Sequence, residues 1–153
     1  MTVRNLCKSG DPVLRAKAQS VNNFDQHLAA LLEDMADSLA EYRGVGIAAP
    51  QIGVSLAVIV IKLDDSFPML EMINPEIIEC SGKETDVEGC LSIPGIYGEV
   101  TRCTDVAINF LDRTGSKRNL SASGLLARIV QHEVDHLNGV LFTDKVENFV
   151  TEG

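Results

Sequence analysis

The hydrophobic positions of this chain change period along its length, and each change marks an element. From residue 28, Leu28, Leu31, Leu32, Met35 and Leu39 recur three or four places apart, with Glu33, Asp34, Asp37 and Glu41 between them. This is the stripe of an amphipathic helix, ended before Gly44. Upstream, Asp11-Pro12 joins a capping side chain to a proline at the first helical position and predicts a short helical turn. "LAVIVIKL", residues 56–63, is a continuous apolar run of strand length, as in a strand buried on both faces. "MINPEIIEC", "DVAINFLD" and "RNLSAS" read as further strands, with turns at Ser81-Gly82 and Thr114-Gly115. Residues 44–54, "GVGIAAPQIGV", carry too much glycine and proline for a regular element, and "EGCLSIPGIYGEV", residues 88–100, reads as extended or irregular. Ser123 can cap a second helix, "GLLARIVQHEVDHLN", which Gly139 is placed to terminate, and a short strand "VLF" follows. The pattern contains no internal repeat, low-complexity tract or linker. The expectation is one α+β domain over residues 1–153, with short, mostly antiparallel strands packed around the second helix and an N-terminal amphipathic helix.

Composition narrows the function classes. The 153 residues include 22 acidic and 13 basic side chains, for a net charge of −9. The basic residues are scattered singly, which argues against a nucleic-acid or anionic-membrane surface. The longest apolar run, residues 56–61, is far below the roughly 18–20 residues of a membrane span. The first residues, "MTVRNLCKSGDP", lack the apolar core of a secretory signal. Cys7, Cys80, Cys90 and Cys103 are widely spaced without a CxxC pair, so free thiols in a reducing, cytosolic compartment are expected.

Candidate chemistry centres on "QHEVDHLNG", residues 131–139. His132 and His136 are two of only three histidines and stand one helical turn apart, so both imidazoles leave the same face. Two neutral imidazoles suit one divalent ion, and Glu133 between them is free to accept a proton from water. A structural clasp would not need that glutamate. A catalytic site of this type needs a third ligand and an open position. The C-terminal side offers Asp144, Glu147 and Glu152; upstream stands Cys90, flanked by glycine in "EGCLS". Cys90 can be read as a small buried hydrophobe, as that third ligand, or as a nucleophile served by the same histidines. Gly46 lies in a loop where a backbone or ligand can approach closely, and Gln51 at its end carries an amide able to donate to an oxyanion.

Three separated segments, "GVGIAAPQ" at Gly44 to Gln51, "EGCLS" at Glu88 to Ser92 and "QHEVDHLNG", together resemble the signatures of the peptide deformylases. The resemblance runs over nearly the whole chain, including "INPEI" and "GLLA". It implies hydrolysis of the N-formyl group of N-formylmethionyl peptides with release of formate. Cys90, His132 and His136 would be the metal ligands, with water as the fourth. Glu133 would serve as general base and then acid, and the Gln51 amide and Leu91 backbone N–H would meet the oxyanion. The implied ion is natively ferrous iron, with zinc, nickel or cobalt able to replace it. Glu88 and Arg102 would form an ion pair bracing the cysteine segment, while Asp135 and Gln131 either orient neighbours or face water. The implied partners are formylated nascent peptides met near the ribosome by a monomer in a bacterial cytosol, or in a host cytosol if the chain is virus-encoded.

Two departures from the family pattern carry expectations of their own. Arg128, four residues before His132, stands where many relatives have an apolar residue lining the methionine pocket. It either turns outward with only its stem on the pocket, the favoured reading, or reshapes the pocket, which Leu125 and Ile129 otherwise help to line. The chain also ends at Gly153 without the longer, often basic C-terminal helix of many bacterial relatives, so docking to the ribosome through that helix is not expected.

Overall fold

A computed structural model describes residues 2–151. Its two main helices are α1, Gln26–Glu41, and α2, Gly124–Leu137. The strands are β1 Gly46–Ala48, β2 Val58–Ile61, β3 Leu70–Ser81, β4 Glu84–Cys90, β5 Ile93–Arg102, β6 Asp105–Leu111, β7 Lys117–Ser123 and β8 Asn148–Val150. They form a five-stranded sheet in the order β1-β2-β3-β6-β7 and a three-stranded sheet in the order β4-β5-β8. All pairings within these sheets are antiparallel.

Alternation along β2 explains why the larger sheet is covered on both sides. Val58 and Val60 pack with Leu28, Leu31, Leu32, Met35 and Leu39 of α1. Ile59 and Ile61 point the other way, into a cluster with Ala127, Ile129, Val130 and Leu137 of α2. A strand buried on both faces has no polar position, which is why residues 56–61 show no alternation. The smaller sheet meets the remaining side of α2, and Ile93 and Val100 pack there with Leu14, Leu141 and Phe142. The helix carrying His132 and His136 is thereby central.

Local signals hold at the helix starts. The Asp25 carboxylate accepts from the N–H groups of His27 and Leu28, and the Asp11 carboxylate accepts from Val13 N–H ahead of a 3₁₀ turn at Pro12–Arg15. Ser123 stands at the first position before α2, although its side chain makes no capping bond. Gly139 follows the C-terminus of α2 with φ +73°, and a β-carbon there would lie 2.5 Å from Arg15 O. Only glycine lets the N-terminal segment lie so close.

Four expectations need correction or narrowing. Residues 44–54 include β1 and a 3₁₀ turn at Ala49–Ile52. β1 is three residues long, too short to show a period, and exists because it pairs with β2. For residues 88–100 the extended alternative holds and the irregular one does not, since Cys90 pairs with Ile93 across a tight reversal at Leu91 and Ser92. "VLF" is not a strand. A 3₁₀ turn occupies Phe142–Asp144, and the last strand comes later, where β8 pairs with β5. Finally, Cys80 and Cys103 form a disulfide, leaving Cys7 and Cys90 as free thiols. The cause is topological: antiparallel pairing of β3 with β6 brings positions 23 apart in sequence to a Cα–Cα distance of 5.7 Å.

Candidate functional site

α2 presents His132 and His136 side by side, with ring centroids 5.1 Å apart. The end of β4 brings Cys90 up to them, and its Sγ lies 3.3 Å from His136 Nε2. One donor atom from each of Cys90, His132 and His136 lies within 4.8 Å of the other two. A thiolate and an imidazole bound to one ion at the tetrahedral angle stand about 3.6 Å apart, from bonds of about 2.3 and 2.1 Å. The donor set and its spacing therefore fit a single divalent ion. The acidic alternatives do not join the cluster. Asp144 pairs with Arg15, Glu147 accepts a hydrogen bond from Thr101, and Glu152 lies outside the described residues.

A charged network behind the cluster orients it. His132 Nδ1 lies 2.9 Å from Glu88 Oε1, an arrangement in which Nδ1–H donates and Nε2 is left for the ion. Glu88 also accepts from Arg102 Nε at 2.6 Å and from a second Arg102 nitrogen at 2.9 Å. The expected Glu88–Arg102 pair is thus present and buried. Arg102 reaches Asp135 as well, which answers what that residue does between the histidines. Gln131 holds the backbone on both sides of Cys103 and donates to Ala127 O.

Arg128 overturns its favoured reading. Its guanidinium points inward, donating to Glu88 Oε2 at 2.6 Å, Val100 O at 2.9 Å and Glu84 O at 2.7 Å. The smaller sheet covers this stripe of α2, so the head group finds β4 and β5 carbonyls where water was expected. The residue still lines the cavity.

These surroundings perturb the titrating groups. Burial would raise the Glu88 carboxyl, yet hydrogen bonds from His132 and Arg102 hold it down at about 2. Burial would lower His132, but hydrogen bonds with Cys90 and Glu88, together with nearby negative charge, raise it to about 10. A cation held by this cluster would displace that proton. Burial, reinforced by the charges of His132 and Arg102, pushes His136 down to about 3. Burial raises Glu133 to about 7, against the opposing pull of His132 and Arg102. Among the described buried side-chain atoms, Glu133 Oε1 and His136 Nδ1 lack a hydrogen-bond partner. A bare carboxylate oxygen tuned to neutrality beside a ligand cluster is placed to exchange protons.

The glycine loop completes the site. Gln51 Oε1 accepts from Ala48 N–H at 2.9 Å, which aims the amide nitrogen toward Ser92 Oγ at 3.3 Å and Cys90 Sγ at 3.6 Å. Gly46 passes so near α2 that a β-carbon would lie 2.9 Å from Glu133 Oε2 and from Ile129 Cγ2. These groups surround a cavity of about 500 Å3 whose lining includes Gly46, Gln51, Glu88, Cys90, Leu91, Leu125, Arg128, Ile129, His132 and Glu133. His136 and Arg102 act from behind this wall. The sequence reading missed Arg43, Val45, Val87, Pro94 and Tyr97, which also line it. Most belong to β1, β4 and β5 or their flanks, whose mutual approach no local pattern reveals. β1 and β4 are the terminal strands of their sheets, and residues of both line the cavity.

Comparison with known proteins gives one consistent result. A family model described as polypeptide deformylase matches residues 3–152. A peptide deformylase of Carboxydothermus hydrogenoformans is 48% identical over 153 residues, covering 100% of this chain and 99% of the relative. Peptide deformylase 1 of Bacillus subtilis is 45% identical over 152 residues, covering 99% of this chain and 95% of its own length. Among solved structures, a peptide deformylase from Legionella pneumophila superimposes with a TM-score of 0.93 at 43% identity, over 95% of this chain and 87% of that one.

Proposed function

Because this chain belongs to the polypeptide deformylase family, which removes N-formyl groups from nascent peptides, we propose that the cavity-lining residues from Gly46 to Glu133, with His136 and Arg102 behind them, carry out that reaction in one catalytic domain. Cys90, His132 and His136 hold one divalent ion. Bound there, the ion supplies the Lewis acidity that polarises the formyl carbonyl and makes water a nucleophile at neutral pH. Ferrous iron is the native ion in this reading, with zinc, nickel or cobalt as substitutes; the thiolate among the ligands favours the softer choices.

The remaining steps belong to the protein's own groups. The bare Oε1 of Glu133 takes a proton from the attacking water as the new C–O bond forms. The carbonyl oxygen becomes an oxyanion, met by the Gln51 amide and the Leu91 backbone N–H. Such fixed donors are each worth on the order of 3 kcal/mol in comparable sites. Glu133 then delivers its proton to the methionine nitrogen, the C–N bond breaks, and formate leaves. Ile129, Leu125 and the stem of Arg128 form the apolar slot for the methionine side chain. Glu88 and Arg102 keep the His132 ring oriented. The free edges of β1 and β4 offer unpaired backbone groups to an extended peptide between them.

In this reading the protein acts as a monomer in the bacterial cytosol, or a host cytosol if virus-encoded. It acts on formylated nascent chains and binds neither nucleic acid nor membrane. No helix among the described residues is long and apolar enough to cross a membrane.

The observation that carries the assignment of roles is the unpartnered, buried Glu133 Oε1 beside a three-donor cluster. Formate release from formyl-Met-Ala-Ser by iron-loaded, anaerobically purified protein tests it. Glu133→Ala is expected to retain the ion and lose turnover. Equal rates in the two proteins overturn the role given to Glu133.

A further inference from the structure

Among the charged side chains lining the cavity, only one lacks a task. Glu88 and Arg128 bind each other, and Glu133 stands beside the ligand cluster. Arg43, exposed at the mouth, makes no ion pair or side-chain hydrogen bond among the described residues. Its backbone is also unusual, with φ +57°, just past the cap of α1 at Tyr42. That position closes a helix in the left-handed region, where glycine or asparagine is the common choice. The bonds Arg43 N–H to Ala40 O and Gly44 N–H to Leu39 O complete the closure. Arginine there keeps a backbone penalty that glycine avoids, with no ion pair or side-chain hydrogen bond among the described residues to offset it.

The position can be set against a bound peptide. Gly46, three residues further on, is the one whose β-carbon would touch Glu133. At about 3.3 Å per residue, the Arg43 backbone stands at most about 10 Å from that of Gly46, the position beside Glu133. An extended peptide advances at the same rate, so one whose formyl end lies beside Gly46 and which runs back along residues 46–43 brings its third residue level with position 43. The chain as a whole carries −9, which repels acidic peptides, so any preference for them needs a local cation at the mouth.

We propose that Arg43 is a specificity-determining residue that favours formylated peptides with a carboxylate side chain at their third position. This rests on the deformylase reading and deepens it by naming a substrate class. The free carboxylate of a tripeptide would occupy the same place, so the test uses C-terminal amides.

The experiment compares kcat/KM for formyl-Met-Ala-Asp-amide, formyl-Met-Ala-Asn-amide and formyl-Met-Ala-Lys-amide. An exposed pair of this kind gives an Asp-over-Asn ratio of about threefold at low salt, with Lys below Asn. The contrast should shrink toward unity at about 0.5 M salt, as screening removes it. Arg43→Lys should retain the order of preference and Arg43→Gly should abolish it, with thermal melting showing both variants folded. Equal Asp and Asn rates in the native chain overturn the proposal. So does a contrast that persists in Arg43→Gly, which would locate the selecting cation elsewhere. Failure to release formate from all three peptides overturns the deformylase reading, and this proposal falls with it.

Discussion

Replacing Glu88 with glutamine changes shape little and charge completely, and the cost can be worked from its partners. The Glu88 carboxylate accepts four hydrogen bonds: two from Arg102, one from Arg128 and one from His132. In Glu88→Gln one acceptor becomes a donor facing donors, and two guanidiniums, 2% and 9% exposed, lose their only shared anion. Removing one partner of a buried charge pair costs about 3–5 kcal/mol. The depression of the Glu88 carboxyl from 4.5 to about 2 by the same contacts has the matching sign. A loss of about 3 kcal/mol is expected, roughly 10 °C in Tm for a chain of this length. Urea unfolding followed by circular dichroism, with metal content held equal, measures it. A double-mutant cycle with Arg128→Met isolates the contact, and the pair should cost less than the sum of the singles. The sign with pH is fixed too. Because the folded-state value is depressed, the contribution is complete above about 4.5 and is lost as pH falls through about 2. The native protein should therefore show an acid limb that Glu88→Gln lacks. A loss below about 1 kcal/mol with an unchanged denaturant slope would refute the reasoning.

Other perturbations have equally definite outcomes. Gly46→Ala places a methyl group 2.9 Å from both Glu133 Oε2 and Ile129 Cγ2. It should cost about 1–3 kcal/mol by overpacking and lower kcat by roughly a hundredfold through displacement of the carboxylate; native kinetics in this variant would contradict the geometry. The Cys80–Cys103 link closes a loop of sequence separation 23 and should contribute about 3 kcal/mol. A dithiol reductant should thus lower Tm in the native chain and leave Cys80→Ser/Cys103→Ser unmoved. Cys90 and ferrous iron are both oxidisable, so the iron form should lose activity on aerobic storage while the nickel form holds. Equal loss in both forms counts against a cysteine–iron site.

How much of this was visible in the sequence depended on the range over which each signal acts. α1 was legible because its apolar stripe is a local period, and its face is the one buried against Val58 and Val60. The His132–His136 pair was legible because helical spacing alone puts both rings on one face, and Glu133 because it stands beside the first of them. Cys90 could be joined to them only by resemblance, since nothing local says where the end of β4 will lie. The disulfide, the inward turn of Arg128 and the strand at β1 escaped for one reason. Each depends on what a distant segment places opposite it: β6 beside β3, the β4–β5 carbonyls over α2, and β2 beside residues 46–48. Arginine on a helix is read as solvent-facing until a second layer is known to cover that stripe.

The junction at Glu88 also constrains how such a chain can change over generations. Arginine at position 128 satisfies the carbonyls of Glu84 and Val100 as well as the carboxylate. Swapping it for an aliphatic side chain strands those carbonyls, while altering position 88 first strands two cations. Neither step is neutral alone, so exchanging arginine at 128 for an apolar side chain means crossing a valley in stability. A change at either position is tolerated best when the other changes with it.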